Sequence, residues 1–182
     1  QAEANKEPIY IAIGSAITSY ARNFTIRTAQ MNYYGHNKAG FKYADTDSIH
    51  CDIPAEQLKG LRIDNNDFCA WKLESYWDSA IFIRQKTYVE HVTHEDRIPI
   101  DNPYYNIKCA GMPDKCKELF ITSMKPISKI KLDTYSEEEQ LFLKTKRTID
   151  DFDYGLTIPG KLLPRTIKGG VILEDINFTL IK

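Results

Sequence analysis

The sequence lacks the features that would place this chain in a membrane, around a zinc ion or outside the cell. No run approaches the roughly 20 apolar residues that a membrane helix requires. The apolar run over residues 8–17 follows an acidic, polar start without a basic leader, so it does not resemble a signal peptide. The four cysteines form no C-x-x-C pair, which argues against zinc binding and fits a reducing compartment. We therefore expect a cytoplasmic protein with no membrane partner.

A strong excess of charge is also missing. The 24 basic and 25 acidic residues leave a formal net charge of −1, which excludes a protein that coats nucleic acid with its whole surface. A local basic patch remains open, because phosphate binding depends on where the lysines lie. Residues 108–131 hold six lysines against two acids. This segment is a candidate DNA-binding surface, although a solvated surface would have the same composition.

The 182 residues contain enough apolar side chains to bury the core of one domain or of two small ones. Apolar and small residues recur at helical spacing over 15–34, which predicts a helix there. The preceding residues 9–13 alternate in a way that predicts a short strand. The residues that define the helical stripe are Ile17, Ala21, Phe24, Thr28 and Met31.

Further along the chain, strands are predicted over 41–43 and 48–53, joined through two aspartates. A helix is expected after Pro54. Density of β-branched and aromatic residues predicts strands over 68–77 and 80–91 with Ser79 as their junction. The segment 93–102 is charged and contains Pro99, so it is expected to be a turn or loop, and 104–110 is expected to be another strand.

The two aspartates, Asp45 and Asp47, flank Thr46 at the predicted hairpin turn. Carboxylates that project together from a turn suit Mg²⁺, which prefers oxygen ligands and retains water and substrate phosphate. Opposite a further carboxylate they can hold two ions about 3.5–4 Å apart, as displacement at phosphorus requires. A bare Asp-x-Asp triplet is nevertheless common in turns, where the side chains cap their own backbone, so the triplet alone favours a structural role.

The longer string Tyr43-Ala44-Asp45-Thr46-Asp47-Ser48-Ile49-His50 resembles the third polymerase motif of family B DNA polymerases. Four other stretches resemble the same family in the same order, and they narrow it to the protein-primed polymerases of phages. Residues 13–22 are similar to the helix leading into the palm motif, and 84–88 to the Lys-x-Tyr motif. Residues 108–115 resemble the passage from palm to thumb, and 169–182 the last strands of the family.

This resemblance implies an α+β fold. Residues 1–110 would form the C-terminal half of a polymerase palm, an antiparallel sheet with packed helices, and 111–182 a small strand-rich thumb. The implied parent is a DNA-directed DNA polymerase, a nucleotidyltransferase of DNA replication that uses two Mg²⁺ (or Mn²⁺) ions. Its implied partners are primer-template DNA, the incoming dNTP and a terminal priming protein, in a phage or mobile element within a bacterial host.

The resemblance also assigns individual residues. Asp45 and Asp47 are implied to be catalytic and metal-binding, with Asp47 as the direct ligand of both ions. Residues 86 and 88 would share one face if they lie in a strand, which suits a primer grip; a half-exposed strand with a packed tyrosine would look the same. The residues implied to contact DNA or primer are Thr18, Arg22, Arg84, Lys86, Tyr88, Lys108 and Lys115.

The sequence departs from the family in what it lacks. It has neither the earlier Asp-x-x-Ser-Leu-Tyr-Pro motif nor the Lys and Asn-Ser-x-Tyr-Gly of the nucleotide-binding helix. Residues 32–35, Asn-Tyr-Tyr-Gly, lack the serine and the upstream lysine. Because the chain also starts with Gln1, we expect a C-terminal polymerase fragment that is inactive alone. The alternative is a non-catalytic DNA-binding or protein-docking subunit of a split or remnant polymerase.

Three smaller expectations follow. A half palm would leave apolar surface uncovered, which predicts self-association of the chain. The segment 133–156 looks longer than its counterpart in the family, and its acidic run at 137–139 is expected on an outer face, with a solvated helix start as the alternative. His91 and His94 are too poorly placed for one metal ion.

Overall fold

The computed structural model describes residues 10–182. These residues divide into two compact units, of which the first ends at Leu73 and the second is Glu74–Lys182. No helix in the described part of the chain is both long and apolar enough to cross a lipid bilayer. The expected boundary between palm and thumb near Ala110 stays a prediction, since the division into compact units does not test it.

The first unit consists of a long helix and a short antiparallel hairpin. The predicted strand over 9–13 is wrong for residues 11–13, which begin the helix, while Ile9 lies outside the described residues. Helical spacing of apolar residues extends back to Ile13 and prevails over the β-branched composition. The helix expected after Pro54 is a single 3-10 turn, Ala55–Gln57. The other elements are α1 (Ile11–Met31), β1 (Phe41–Asp45) and β2 (Ser48–Cys51).

A buried asparagine joins the parts of this first unit. Asn32 caps the C-terminal end of α1 and is fully buried. Its Nδ2 donates to the carbonyl oxygens of Thr28 (2.9 Å) and Lys59 (3.0 Å), and its Oδ1 accepts from the Lys59 N–H (2.8 Å). Its own carbonyl accepts from the Phe41 N–H at 2.8 Å. One residue therefore ties the helix end and the segment around Lys59 through its side chain, and the start of β1 through its backbone carbonyl; we call this contact set the Asn32 clip.

Gly40 lies beside the Asn32 clip and needs to be glycine. Its φ is +132°, and a Cβ at this position would collide with the carbonyl oxygen of Asn32. Its N–H donates to Asp52 Oδ1 at 2.6 Å, and Asp52 pairs with Lys42 Nζ at 2.9 Å. Partial burial alone would raise the pKa of Asp52, but the Lys42 ion pair and the Gly40 N–H outweigh it and lower that pKa. These contacts close the base of the hairpin.

The second unit begins with a three-stranded antiparallel meander in the order β3-β4-β5. The predicted junction at Ser79 is wrong, because β3 runs through it with a bulge at Asp78. The strands meet instead at a two-residue turn, Gln85 and Lys86, in which Lys86 has a φ of 57°. The bulge lies beside Ser79, the polar residue at which the break between two strands was predicted. The strands are β3 (Ser75–Arg84), β4 (Thr87–Glu95) and β5 (Ile98–Cys109).

The turn or loop predicted over 93–102 is a turn of two residues, and the prediction is wrong for the rest of the segment, which is strand. β4 and β5 continue to a two-residue turn at Asp96 and Arg97, whose φ angles of 45° and 69° are both positive. Two positive φ angles in succession are the pattern of the type I′ turn, which fits the twist of a hairpin. Pro99 is tolerated because β5 is an edge strand of this sheet.

The rest of the second unit contains two helices and a long hairpin. The α+β fold is confirmed, and the part after Ala110 holds helices as well as the expected strands. Short 3-10 turns lie between them at Ile127–Lys129, Leu132–Thr134 and Ile149–Asp151. The main elements are α2 (Asp114–Ser123), α3 (Glu137–Lys144), β6 (Thr157–Ile167) and β7 (Gly170–Thr179), with β6 antiparallel to β7.

A hydrophobic core joins these elements. The sheet, both helices and the base of the β6–β7 hairpin all contribute buried side chains, and the rings of Phe120 and Phe152 lie 5.6 Å apart. Because the core ends near Ile158, the hairpin beyond that residue is largely exposed. The principal core residues are Val89, Ile107, Leu119, Phe120, Phe142, Leu143, Phe152, Ile158, Phe178 and Leu180.

The acidic run at 137–139 begins α3. Ser136 and Glu139 form a capping box, in which Ser136 Oγ accepts from the Glu139 N–H and Glu139 Oε2 accepts from the Ser136 N–H. The alternative of a helix start is therefore confirmed. The expectation of an outer face holds for Glu137 and Glu138 but is wrong for Glu139, which is 5% exposed. Its Oε1 lies 2.5 Å from Lys115 Nζ, and this pairing explains its burial.

Candidate active site

The two aspartates lie at the end of the first hairpin, and we call Asp45, Thr46 and Asp47 the Asp turn. Asp45 is the last residue of β1, Thr46 and Asp47 form the turn, and Ser48 begins β2 opposite Asp45. Thr46 has a φ of 51°, at a position where two-residue hairpins of type II′ normally have glycine. A β-branched residue in this region is strained, and such strain is concentrated at functional turns.

Helix α1 holds the Asp turn in place. Thr25, which is 6% exposed, donates its hydroxyl to the carbonyl oxygen of Thr46 at 3.2 Å. Within the turn, Thr46 Oγ1 donates to Asp45 Oδ1 at 3.0 Å, and Ser48 Oγ donates to the carbonyl oxygen of Asp45 at 3.1 Å. These contacts fix the direction in which the turn leaves the hairpin, and they support the strained Thr46.

Thr25 was not among the predicted site residues, but its spacing could have found it. Thr18, Arg22 and Thr25 follow each other at i, i+4 and i+7, so they share one helical face. Thr18 and Arg22 are exposed, and the Thr18 hydroxyl donates within its own helix, to the carbonyl oxygens of Gly14 and Ser15. The first unit therefore places both predicted primer contacts on the helical face that reaches the Asp turn.

The side chains of the Asp turn suit a hard divalent cation. Asp47 is exposed and Asp45 is half-buried, and their carboxylate oxygens are the donors that Mg²⁺ prefers. Within residues 10–182, no three His, Cys, Asp or Glu side chains gather around a point where a metal could bind. Two carboxylates suit a cation such as Mg²⁺, which usually keeps several water ligands.

The two histidines of β4 have different partners. His91 Nδ1 lies 2.8 Å from Asp78 Oδ1, and its ring packs 4.6 Å from that of Tyr105. His94 Nδ1 lies 2.9 Å from Thr93 Oγ1, and its ring meets Tyr76 edge-on. Contacts within the sheet therefore explain the position of each histidine ring.

In the second unit, Tyr88 and Lys108 are direct partners across β4 and β5, and Phe82 is the partner of Tyr88 on the other side. The three side chains form a row across the sheet. The ring of Tyr88 packs 5.5 Å from Phe82 and is 9% exposed, whereas Lys108 is exposed. Phe82 was not predicted, although an aromatic residue across from a tyrosine is a common sheet pairing.

The premise that Lys86 and Tyr88 share a strand face is wrong. Lys86 lies in the β3–β4 turn, where its carbonyl oxygen accepts from the Ala110 N–H at 3.0 Å. Arg84 is the last residue of β3 and is exposed, as is Lys86. The two cations therefore lie together at one turn, with Arg84 just before it and Lys86 within it, and from this position they can reach a phosphate backbone.

Lys115, one of the predicted DNA contacts, pairs with a buried acid of its own chain. The hydrogen bond to Glu139 raises the pKa of Lys115. Burial alone would raise the pKa of Glu139, but Lys115 and the Ser136 N–H outweigh it and lower that pKa. Lys117 pairs with Asp114 at 2.7 Å. The exposed lysines that remain in the basic segment are Lys108, Lys125, Lys129 and Lys131.

The chain is similar to DNA polymerases of phages along almost its whole length. It is 30% identical over 178 residues to the DNA polymerase of Streptococcus phage Cp-1, covering 98% of this chain and 25% of that protein. It is 29% identical over 190 residues to the DNA polymerase of Bacillus phage phi29, covering 27% of it. The chain thus spans about a quarter of the length of the curated relatives it matches. No protein-family model matches it.

Solved structures agree with this similarity. The phi29 DNA polymerase complexed with primer-template DNA and incoming nucleotide matches 96% of this chain and 26% of its own, with a TM-score of 0.63 and 29% identity. An orthorhombic crystal form of the same polymerase gives a TM-score of 0.64 at 28% identity. The chain is therefore homologous to part of these phage polymerases in sequence and in fold.

Proposed function

We propose that this chain is the C-terminal part of a protein-primed, family B DNA-directed DNA polymerase, and that it supplies the Asp turn and much of the surface that grips the primer. The observation that carries the proposal is the Asp turn itself, strained at Thr46 and held by Thr25. Similarity to phage DNA polymerases over 98% of the chain supports it. In this proposal residues 1–110 belong to the palm and 111–182 to the thumb.

The proposed roles follow from the side chains. Asp47 would be the main ligand and Asp45 the secondary ligand of two Mg²⁺ or Mn²⁺ ions, which lower the pKa of the attacking hydroxyl and neutralise the leaving pyrophosphate. The partners would be primer-template DNA, dNTP and a terminal priming protein. Contacts to DNA would come from Thr18, Arg22, Arg84, Lys86, Tyr88, Lys108 and Lys115.

A chimaera tests this function directly. The matching quarter of the Streptococcus phage Cp-1 DNA polymerase is exchanged for this chain, and primer extension is measured in Mg²⁺. We expect template-dependent incorporation, and Asp47→Asn is expected to lower its rate by about 10³-fold, because a metal ligand supplies several kcal/mol of transition-state stabilisation. The isolated chain is expected to be inactive.

The matched control is Asp64→Asn. Asp64 Oδ1 accepts from the N–H groups of Asn66 and Asp67, and an asparagine can accept the same bonds, so the rate should stay within about twofold, as for a substitution away from any site. Equal activity of the chimaera and its Asp47→Asn variant would contradict the proposal. Incorporation by the isolated chain would refute its expected inactivity alone.

The second candidate function is a non-catalytic DNA-binding or protein-docking subunit of a split or remnant polymerase. Exposed cations at Arg84, Lys86 and Lys108 favour DNA binding, which persists without catalysis. A chimaera that binds primer-template DNA with a steep salt dependence but incorporates no nucleotide would favour this candidate. Fluorescence anisotropy on labelled primer-template DNA provides that measurement.

A further inference from the structure

The apolar stripe of α1, defined as Ile13, Ile17, Tyr20 and Phe24, packs against an aromatic ring at its C-terminal end and is more exposed toward its N-terminal end. These residues follow each other at i, i+4, i+7 and i+11, so they line one face. At the C-terminal end, Phe24 stacks on Trp71 with ring centroids 5.3 Å apart. The helix therefore already uses this face for packing where its own unit provides a partner.

Large apolar side chains are exposed to solvent at the N-terminal end of the stripe. Ile13 is 57% exposed, Ile17 64% and Tyr20 80%. Between Ile11 and Ile26 the sequence has a single charge, Arg22, which the helical period places on the opposite face. Complete burial of such a side chain contributes about 1.5–3 kcal/mol, and exposed apolar patches of this kind mark interaction sites.

We propose that the open end of the stripe is a docking surface for the polypeptide that makes up the remaining three quarters of the polymerase. This proposal rests on the proposed function. The relatives that match 98% of this chain are about four times as long, so a large polypeptide is left to pack against it. The stripe is also well placed, because α1 holds the Asp turn through Thr25 on a neighbouring face. A polypeptide seated on the stripe would lie beside the Asp turn.

Co-purification tests the docking without relying on activity. This chain carries an affinity tag and is co-expressed with a separate polypeptide, the three quarters of the Streptococcus phage Cp-1 DNA polymerase that it does not match. We expect the two to co-purify, and the double variant Ile17→Glu, Tyr20→Glu to reduce the recovered partner at least about tenfold, since two charges would be buried unpaired. Leu141→Glu, at a 70% exposed position of α3, is the matched control and should co-purify normally.

The failure of docking and the failure of the proposed function give different results. Asp47→Asn should co-purify but not extend a primer. Co-purification without extension by the unsubstituted pair would keep the docking and contradict the function. Equal recovery with the double variant would overturn the docking. Sedimentation of the co-expressed sample would also overturn it if this chain formed a self-associated species without the Cp-1 polypeptide and the double variant removed that species, because the stripe would then serve a second copy.

A second measurement applies if the separate Cp-1 polypeptide does not fold. Hydrogen exchange of residues 11–24 is compared between the isolated chain and the single-chain chimaera described above. We expect exchange at these amides to slow at least about tenfold in the chimaera, because a covered helix opens less often. Equal exchange in both proteins would overturn the proposal.

Discussion

The two units differ in what holds them together. In the second unit, large apolar side chains such as Phe120, Phe152 and Leu143 are completely or almost completely buried. Among residues 10–73, by contrast, no large apolar side chain is buried. The residues that are buried there are small or polar, namely Thr25, Thr28, Asn32, Gly40 and Ala55. The unit that carries the Asp turn is thus organised by hydrogen bonds, and the other by a core.

This difference suits what each unit is proposed to do. Apolar burial is strong but non-directional, so it supports a scaffold such as the base of the β6–β7 hairpin. Hydrogen bonds are weaker in net free energy but fix direction, and direction is what Asp45 and Asp47 need. The first unit also has the open apolar stripe of α1, so the apolar packing that it lacks inside is available on its surface.

The largest expected effect concerns the core of the second unit. Phe120→Ala removes a fully buried ring that packs against Phe152, and it should lower the free energy of unfolding by about 3–5 kcal/mol. Phe68→Ala is the control, because Phe68 is 94% exposed, and its effect should stay within about 0.5 kcal/mol. Chemical denaturation measures both. If the two variants lowered the free energy of unfolding by similar amounts, the second unit would not depend on its buried core more than the first unit depends on an exposed ring.

The next effect concerns the Asn32 clip. Asn32→Ala deletes three hydrogen bonds and leaves the Lys59 N–H without its acceptor, so the free energy of unfolding should fall by about 2–4 kcal/mol. Asn23→Ala, at an exposed position of α1, is the matched control and should have little effect.

Hydrogen exchange locates that loss. In Asn32→Ala the Lys59 amide should exchange faster, whereas the amide of Val89 in the second unit should change little. Unchanged exchange at Lys59 would show that the clip does not hold the first unit together.

Local patterns explain most of what the sequence could predict. The helical spacing of residues in α1 and the hairpin around the Asp turn both depend on residues that are close in the chain, and both elements were predicted. The turn at Gln85 and Lys86 was missed because it contains neither Gly, Asn nor Asp, the usual hairpin signals. The composition of the sequence indicated a break instead at Ser79, and the structure has a bulge at the neighbouring Asp78.

Long-range polar contacts explain most of what could not be predicted. The burial of Glu139 depends on Lys115, and the clip depends on Lys59, 27 residues from Asn32. Likewise, the contact from Thr25 to Thr46 spans 21 residues. The Asp turn could be recognised from its residues, but the side chains that fix its geometry had no local signal apart from the spacing of Thr25.

A third effect tests whether the core unit also depends on a polar contact. Glu139→Gln keeps the shape of the side chain but removes its charge opposite Lys115, and the free energy of unfolding at pH 7 should fall by about 1–3 kcal/mol. Glu138→Gln, at the exposed neighbour, is the control and should cost much less.

The loss of unfolding free energy in Glu139→Gln should depend on pH, and the sign of this dependence can be stated. The folded pKa of Glu139 is lowered, so its contribution is present above the ordinary glutamate pKa of about 4.3 and is lost as pH falls through the folded value. The gap between the wild-type chain and Glu139→Gln should therefore shrink on acidification. Thermal unfolding between neutral and acidic pH measures the gap, and a gap that widens would contradict the ion pair.

The smallest expected effect is the one most specific to the Asp turn. Thr25 and Thr28 are both buried in α1, and each donates to the carbonyl oxygen four residues earlier. Thr25 also donates to the carbonyl oxygen of Thr46. Thr25→Val should therefore cost about 0.5–1.5 kcal/mol more than Thr28→Val.

Faster hydrogen exchange at the amides of the Asp turn should accompany Thr25→Val and not Thr28→Val, because Thr46 keeps its positive φ under restraint from the helix. If both variants affected the turn equally, the position of the two carboxylates would depend on α1 as a whole and not on this one hydroxyl. The polar organisation of the first unit would then be less local than its hydrogen bonds indicate.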